Sequence, residues 1–466
     1  MKAVIFGAGP CGLTAAWELA RQGIGATVIE KEDAVGGLCK TIRKDGFQFD
    51  LGGHRFISKD QELVDDIKSL MGDRLLIRDR KSVIRFKDRQ FDYPINLPDV
   101  LSHSTLLMNL KFATGYFSSW SRLYKSKAPH GSFERWADTK FGRPLNEYFF
   151  KPYTEKLWGI DASRLSDQWA GERISLLDAK DALLKSLGWT KTSPGAFAVK
   201  YLYPKGGIGE IFEVMADEIR RMGGKIITGA QPVKLRTSGL TVTGVELELK
   251  NGQRSVVRAD QYLSTIPLGE TAKLIEPTIA TQLTYRSLRF LNITLSGIEN
   301  LSNNTWMYVP EADMIMTRIQ EPKRRSPFSA PPGQTSVMLE IPCQAGDATW
   351  TMPDGSLLDL ALGHLLKLGF NLRPHVTGCF STFAQSAYPR MEIRYKSSVQ
   401  PLREMVNRFD NLKTAGRQGL FKYIFMDTAM LTGRRWARQI LGADFSASAD
   451  ETDDEQALLE TQSVVA

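Results

Sequence analysis

A strand that runs directly into Gly7-Ala-Gly9-Pro-Cys-Gly12 constrains this chain more than any other feature. Lys2-Ala-Val-Ile-Phe6 precedes the glycines, a helical pattern over Leu13–Gln22 follows them, and a second β-like run occupies Ala26–Glu30. Strand, turn, helix and strand make one βαβ unit, and the glycine spacing is that of a dinucleotide fingerprint. Gly7 makes the tight turn, Gly9 lets backbone approach a pyrophosphate, and Gly12 lets the helix pack on the strand. The helix N-terminus then faces the phosphates. Glu30 ends the second strand about 20 residues on, where a carboxylate can accept hydrogen bonds from ribose hydroxyls.

Glycines also cap helices, and an NAD site uses the same fingerprint. A second turn, Glu32-Asp-Ala-Val-Gly36-Gly37, follows Glu30 and Lys31 at once and favours FAD, because it resembles the second glycine pair of FAD-dependent amine oxidases and their relatives. The expected cofactor set here is therefore Gly7, Gly9, Gly12, Glu30, Lys31, Gly36 and Gly37 around FAD.

The rest of the chain has to supply further units, since 466 residues exceed one simple core and suggest two or three. From Leu97 to Gly188 the pattern changes to Leu, Trp and Phe at helical spacing among basic residues, which predicts a mostly helical insertion over the ligand. A helix is expected around Phe212–Met222 and a strand at Lys225–Thr228. Asn251-Gly252 marks a hairpin between Leu240–Leu249 and Ser255–Val257. Further β-like runs at Phe290–Leu295, Thr305–Val309 and Val337–Ile341 are broken by the Pro- and Arg-rich loop Glu321–Gly333. The expected class is α/β. A discontinuous Rossmann-type FAD-binding domain takes residues 1–75, 200–265 and 385–445, a helical lid and substrate domain takes 97–195, and an antiparallel-sheet substrate domain takes 76–96 and 266–384.

Seven acidic residues and no Lys or Arg occur from Asp444 onward, so residues 446–466 are expected to be a disordered acidic tail. Setting those charges aside raises the formal net charge from +8 to about +15 for the body, a balance that suits an anionic small molecule. Nucleic acid is not expected as a partner. Cys11, Cys39, Cys343 and Cys379 have neither metal-ligand spacing nor the pattern of a disulfide framework, which points to a reducing compartment and no metal site. The chain opens on its first strand and its apolar runs fall far short of a membrane span, so the expected location is cytoplasmic; peripheral contact with a membrane stays open.

Five further segments resemble the UDP-galactopyranose mutase family, flavoenzymes that interconvert ring forms of a nucleotide sugar. They are Asp50-Leu-Gly-Gly53-His54-Arg-Phe, Tyr153-Thr-Glu-Lys-Leu-Trp158-Gly, Tyr285-Arg-Ser-Leu-Arg-Phe290, Thr317-Arg318-Ile-Gln-Glu-Pro-Lys323, and Gly416-Arg417-Gln-Gly-Leu-Phe-Lys-Tyr423-Ile-Phe-Met426-Asp427. The resemblance implies that Gly53 and His54 lie beside the flavin, that Arg417, Met426 and Asp427 hold its ring and ribityl parts, and that Arg318 and Tyr423 meet a substrate diphosphate. It implies a lid role for Trp158 and a phosphate contact for Arg173. From the residues alone, His54 could equally be a structural histidine, Trp158 a core aromatic, and Arg318 a solvated charge beside Lys323, Arg324 and Arg325.

The chain departs from the family pattern at Leu177, where a second arginine is expected, and at Ile57-Ser58, where a second histidine is expected. Losing one charge-assisted phosphate contact costs about 1.5–3 kcal/mol, or one to two decades of affinity. The implied activity is rearrangement of a nucleotide sugar or other glycosyl diphosphate in surface-polysaccharide metabolism, by a reduced flavin with no net redox change. An oxidoreductase of the amine oxidase or protoporphyrinogen oxidase type shares the N-terminal motifs and is the alternative.

Overall fold

The computed structural model describes residues 1–87, 89–93, 102, 104–123, 131–168 and 200–442, with side chains from 120 to 123 left aside. Arg173, Leu177, the acidic tail and parts of the helical insertion lie outside the described residues.

Ala-Val-Ile-Phe at the N-terminus is apolar without alternation, the pattern of a strand covered on both faces. Lys2–Phe6 is accordingly the central strand of a five-stranded parallel sheet, flanked by Gly25–Ile29 and then Lys225–Ile227 on one side. Gln261–Ser264 and Leu412–Thr414 complete it on the other. The strands are thus drawn from three distant stretches of chain. The first helix, Pro10–Arg21, begins three residues earlier than its apolar period suggests, because Pro10 sits at the helix start with its φ already set and no N–H to satisfy.

Every residue of that helix from Cys11 to Ala20 is buried. It packs between the helices Glu210–Arg221 and Met426–Ile440. Two glycines set the spacing: a Cβ on Gly12 would lie 2.0 Å from the Gly7 carbonyl oxygen, and one on Gly433 would lie 2.1 Å from that of Cys11. The same interface buries charge. Glu18 on the first helix pairs with Arg434 on the last at 2.7 Å, and Arg434 also pairs with Asp66. Neither carboxylate nor guanidinium is left uncompensated in the low-dielectric interior.

A second, seven-stranded sheet runs in the order Val376–Pro389, Tyr285–Ser296, Gln334–Cys343, Arg318–Gln320, Trp306–Tyr308, Ser82–Phe86, Arg89–Asp92. All neighbours are antiparallel except Trp306–Tyr308 with Ser82–Phe86. One face is covered by the helix Asp354–Lys367, and the other by the hairpin Thr41–Lys44/Phe47–Asp50 together with helical segments at Phe133–Phe141 and Lys151–Trp158. Hence the strand next to one edge, Tyr285–Ser296, is buried on both faces along most of its length. The Asn251-Gly252 hairpin forms as expected, with Gly252 at φ +79° between Thr241–Leu249 and Arg254–Val257.

The Pro- and Arg-rich loop is not the solvated basic run that its composition suggests. Glu321, Arg325 and Ser326 are buried, and short 3₁₀ turns form at Pro322–Arg324 and Pro327–Ser329. Lys323 donates to the carbonyls of Glu299 and Gln334, and Arg324 pairs with Glu321 at 3.2 Å. Arg325 stacks on Tyr203 with 5.6 Å from Cζ to the ring centroid. The four cysteines are unpaired. No helix among the described residues is long and apolar enough to cross a membrane.

Gly433→Ala should destabilise the protein by about 1–3 kcal/mol, the usual cost of forcing a methyl into a closed helix contact. Urea denaturation would measure it, and an unchanged midpoint would mean that the two helices can part without loss.

Candidate functional site

The fingerprint glycines, the second glycine turn and Glu30 gather at the C-terminal edge of the parallel sheet. Gly7, at φ +100°, donates its N–H to the Ile29 carbonyl at 2.8 Å. Gly36 donates to the Ala8 carbonyl, also at 2.8 Å, and a Cβ on Gly37 would lie 3.2 Å from the Gly9 Cα, so the two turns lie against each other. A Cβ on Gly9 would meet nothing within 4 Å, which leaves its backbone open to a close ligand at the start of the first helix. Glu30 is buried, and its two oxygens accept the N–H groups of Ala8 at 2.8 Å and Glu32 at 3.0 Å. That fixes the carboxylate while leaving lone pairs for hydroxyl donors. Lys31 is beside it and exposed.

Farther along lies a partly open cleft between Leu38, which follows the second glycine turn, the antiparallel sheet and the start of the last helix. His54 forms part of its wall. The residue is half-buried, and its Nδ1 is a buried atom with no hydrogen-bond partner. Burial, with Arg417, Arg325 and Arg318 nearby, pushes its pKa down to about 3, so it is neutral at any physiological pH.

Arg318 lines the same cleft with only 12% of its side chain exposed, which removes the solvated alternative. Its Nη2 lies 2.8 Å from Glu340 Oε2 and donates to the Tyr388 hydroxyl at 3.3 Å; its Cζ sits 5.7 Å from the Tyr308 ring centroid. Burial opposes the guanidinium charge, but Glu340 and the surrounding phenols outweigh it, and the pKa rises well above its ordinary value. Nε of Arg318 is a buried donor without a partner. The other oxygen of Glu340 accepts the Gly53 N–H at 3.0 Å and a short bond from Gln320 Nε2, while Gln320 Oε1 accepts from Arg325. Sequence reasoning missed Glu340. Its one signal is an acid inside the apolar run Val337–Ile341, which a solvent-facing strand position would also explain. Tyr388, Tyr308, Trp306 and Arg55 also line the cleft and carry no sequence signal of their own.

The C-terminal motif closes the far side. Arg417 donates through Nε and Nη2 to the Ile424 carbonyl at 2.9 and 2.6 Å, and its Cζ lies 4.7 Å from the Tyr423 ring centroid. The last helix starts at Met426, so Met426 and Asp427 stand in its first turn and line the cleft. A buried Asp at that position complements the helix dipole. Tyr423 packs on Tyr388 at 5.1 Å between centroids. Trp158, 1% exposed, stands behind both tyrosines at 6.2 and 5.8 Å, in the core and outside the cleft lining.

These features define an FAD-binding α/β fold with a second, antiparallel sheet facing the cofactor cleft. The chain belongs to the family of flavin-containing amine oxidoreductases, which it matches over residues 10–441. Among curated proteins it is similar to coproporphyrinogen III oxidase of Bacillus subtilis (strain 168), 22% identical over 432 residues that cover 86% of this chain and 90% of that protein. Phytoene dehydrogenase of Streptomyces griseus is 24% identical over 380 residues, 73% of this chain and 72% of that protein. Among solved structures, reduced UDP-galactopyranose mutase superposes with a TM-score of 0.83 at 22% identity, covering 99% of both chains. A putative protoporphyrinogen oxidase from Exiguobacterium sp. 255-15 gives 0.71 at 18% identity, with 94% of this chain and 98% of that one covered.

The protein is therefore a flavoenzyme with FAD as its cofactor. The residues fit that group: open backbone at Gly9, a buried carboxylate at Glu30, helix starts at Pro10 and Met426, and an orphaned imidazole nitrogen in the cleft.

Glu30→Ala should lower FAD occupancy of the purified protein, read from the ratio of flavin to protein absorbance, since it removes a fixed carboxylate and frees the Ala8 amide. Full occupancy would exclude Glu30 from the site. His54 gives a pH test. Its folded pKa of about 3 lies below the ordinary 6.5, so the unfolded chain binds more protons between those values. The stability it contributes is complete above 6.5 and is lost as pH falls toward 3. His54→Gln should flatten the decline in denaturation midpoint between about pH 7 and about pH 5. An identical slope in the variant would refute a neutral imidazole.

Proposed function

We propose that this flavoenzyme rearranges a glycosyl diphosphate, with nucleotide sugars as the leading class, in surface-polysaccharide biosynthesis. The observation that carries the reading is Arg318: a largely buried, charged guanidinium in the cofactor cleft, with its Nε donor unspent. Such a group suits an anion and disfavours the cationic amine that an amine oxidase would receive. In this reading residues 1–75, 200–265 and 385–445 hold FAD, 76–96 and 266–384 form the substrate wall, and 97–195 close over it, with Arg173 as a further phosphate contact.

The chemistry that FAD supplies when bound and reduced is an electron-rich ring edge for the anomeric carbon, without net redox change. The chain does the rest. Glu340 aims Arg318 and keeps it charged, and Arg318 with the Tyr423 and Tyr388 phenols receives the diphosphate as it leaves and holds it for return. Neutral His54 offers a hydrogen-bonding nitrogen at the cleft wall and does not act as a cation there. Arg417 and the first turn of the last helix, at Met426 and Asp427, hold the cofactor's far end.

The second reading, FAD-dependent oxidation of the amine oxidase or protoporphyrinogen oxidase type, is favoured by the oxidoreductases among the sequence relatives.

Arg318→Lys retains a cation for buried Glu340 and so should keep the fold and FAD content. It should weaken UDP binding to the reduced protein roughly 10–100-fold, the loss of one charge-assisted, geometrically fixed contact. Flavin fluorescence titration reads the affinity, and unchanged binding would remove Arg318 from the substrate site. Dithionite-reduced protein should convert UDP-galactopyranose or a related glycosyl diphosphate to its ring isomer without consuming stoichiometric reductant, as seen by chromatography. No isomer from any such sugar, together with bleaching of oxidised FAD by an amine or porphyrinogen, would establish the oxidoreductase reading instead.

A further inference from the structure

Lys156 stands in the last turn of the helix Lys151–Trp158, between Tyr153 and Trp158, yet its ammonium is directed away from solvent. Nζ donates to three main-chain carbonyls, Val309 at 2.9 Å, Glu311 at 2.7 Å and Met316 at 2.6 Å. All three belong to the connection between the strands Trp306–Tyr308 and Arg318–Gln320. That connection is itself closed: Val309 N–H bonds the Thr317 carbonyl at 2.9 Å, and Val309, Met316 and Thr317 are buried. Its two ends are Tyr308 and Arg318, which pair across the strands and line the cleft.

Donating to three carbonyls at once takes three N–H groups, which only the protonated amine has. Burial works against that charge and lowers the Lys156 pKa to about 7, with Glu311 and Asp313 of the connection pulling the other way. A chain that needed only an apolar contact here could use methionine. The Glu311 carbonyl also accepts the Met314 N–H at 3.3 Å, so it is above all the carbonyls of Val309 and Met316 that the amine satisfies.

We propose that Lys156 is a positioning residue of the substrate site. Its ammonium closes the connection from Val309 to Met316 and so fixes Tyr308 and Arg318 relative to the helix that carries Tyr153 and Trp158. The Tyr153 ring meets the Tyr308 ring edge-on at 5.9 Å, so the same helix touches the connection at a second point. From the opposite side, His364 on the helix Asp354–Lys367 accepts the Ile315 N–H at 3.1 Å and steadies the middle of the loop. The substrate part of this inference rests on the reading that Arg318 receives a diphosphate.

The test uses FAD-loaded Lys156→Met, close in length but without donors. Hydrogen exchange should show lost protection at the Val309 and Thr317 amides, FAD content should stay near normal, and UDP affinity of the reduced protein should fall about ten-fold. Retained protection overturns the tether, and lost protection with unchanged UDP affinity overturns its positioning role. A fall in protection across the whole chain would show a merely structural lysine. If Lys156→Met does not fold, His364→Ala loosens the same loop from outside and should weaken UDP about three-fold with local loss of protection; full affinity despite that loss refutes the proposal. Wild-type protein that binds neither UDP nor pyrophosphate would sink the glycosyl-diphosphate reading and the positioning role built on it, while the exchange data would still decide the tether.

Discussion

One buried carboxylate joins the two halves of the site. Glu340, in the middle of the antiparallel sheet and without solvent exposure, accepts the Gly53 N–H with one oxygen and pairs with Arg318 through the other. Gly53 belongs to the loop that places His54 at the cleft, and Arg318 lies directly against it, since a Cβ on Gly53 would sit 3.2 Å from Arg318 Nη1. A charge so deep is tolerable only when it is paired, and its partners here are a cleft arginine and the loop that carries His54. The cost of burying Glu340 is offset by the same contacts that aim the site.

The polar chain continues behind the cleft. Gln320 links Glu340 to Arg325, and Arg325 lies over Tyr203, whose hydroxyl donates to Asp50 at 2.6 Å. Asp50 also accepts from the Thr41 hydroxyl and the Ile208 N–H. Burial raises the Asp50 pKa above its ordinary value, and Arg325 and these donors offset that rise only in part. A network of this kind resists rearrangement, because moving any member strands another in a low-dielectric interior. It gives the cleft a rigid floor, while the glycine turns at Gly7–Gly12 and Gly36–Gly37 bring backbone N–H groups to the other end.

His54 illustrates how the surroundings choose a residue's chemistry. Three arginines lie near enough to influence it, and together with burial they keep the ring neutral. A cleft with cationic guanidinium and neutral imidazole carries less positive charge than one with two cations, and it leaves the histidine free to hydrogen-bond. Trp158 acts one layer farther out, supporting the cleft tyrosines from the core.

What the sequence determined by itself was local. The fingerprint glycines, the acid at Glu30, the proline at the helix start and the Asn251-Gly252 turn each act through backbone geometry within a few residues, so their meaning survives without knowledge of distant contacts. The α/β class follows from them, while FAD over NAD rests on the resemblance of the second glycine turn, Gly36-Gly37, to that of FAD-dependent amine oxidases. Only the tertiary structure decided that Glu340 meets Gly53 across 287 residues, that Arg325 is buried although it sits in a basic run, and that Lys156 reaches into a loop more than 150 positions away. Periodicity reports which face of an element is apolar, and composition reports average exposure. Neither says which partner will lie opposite a buried charge, because that is set by how separately folded sheets and helices dock.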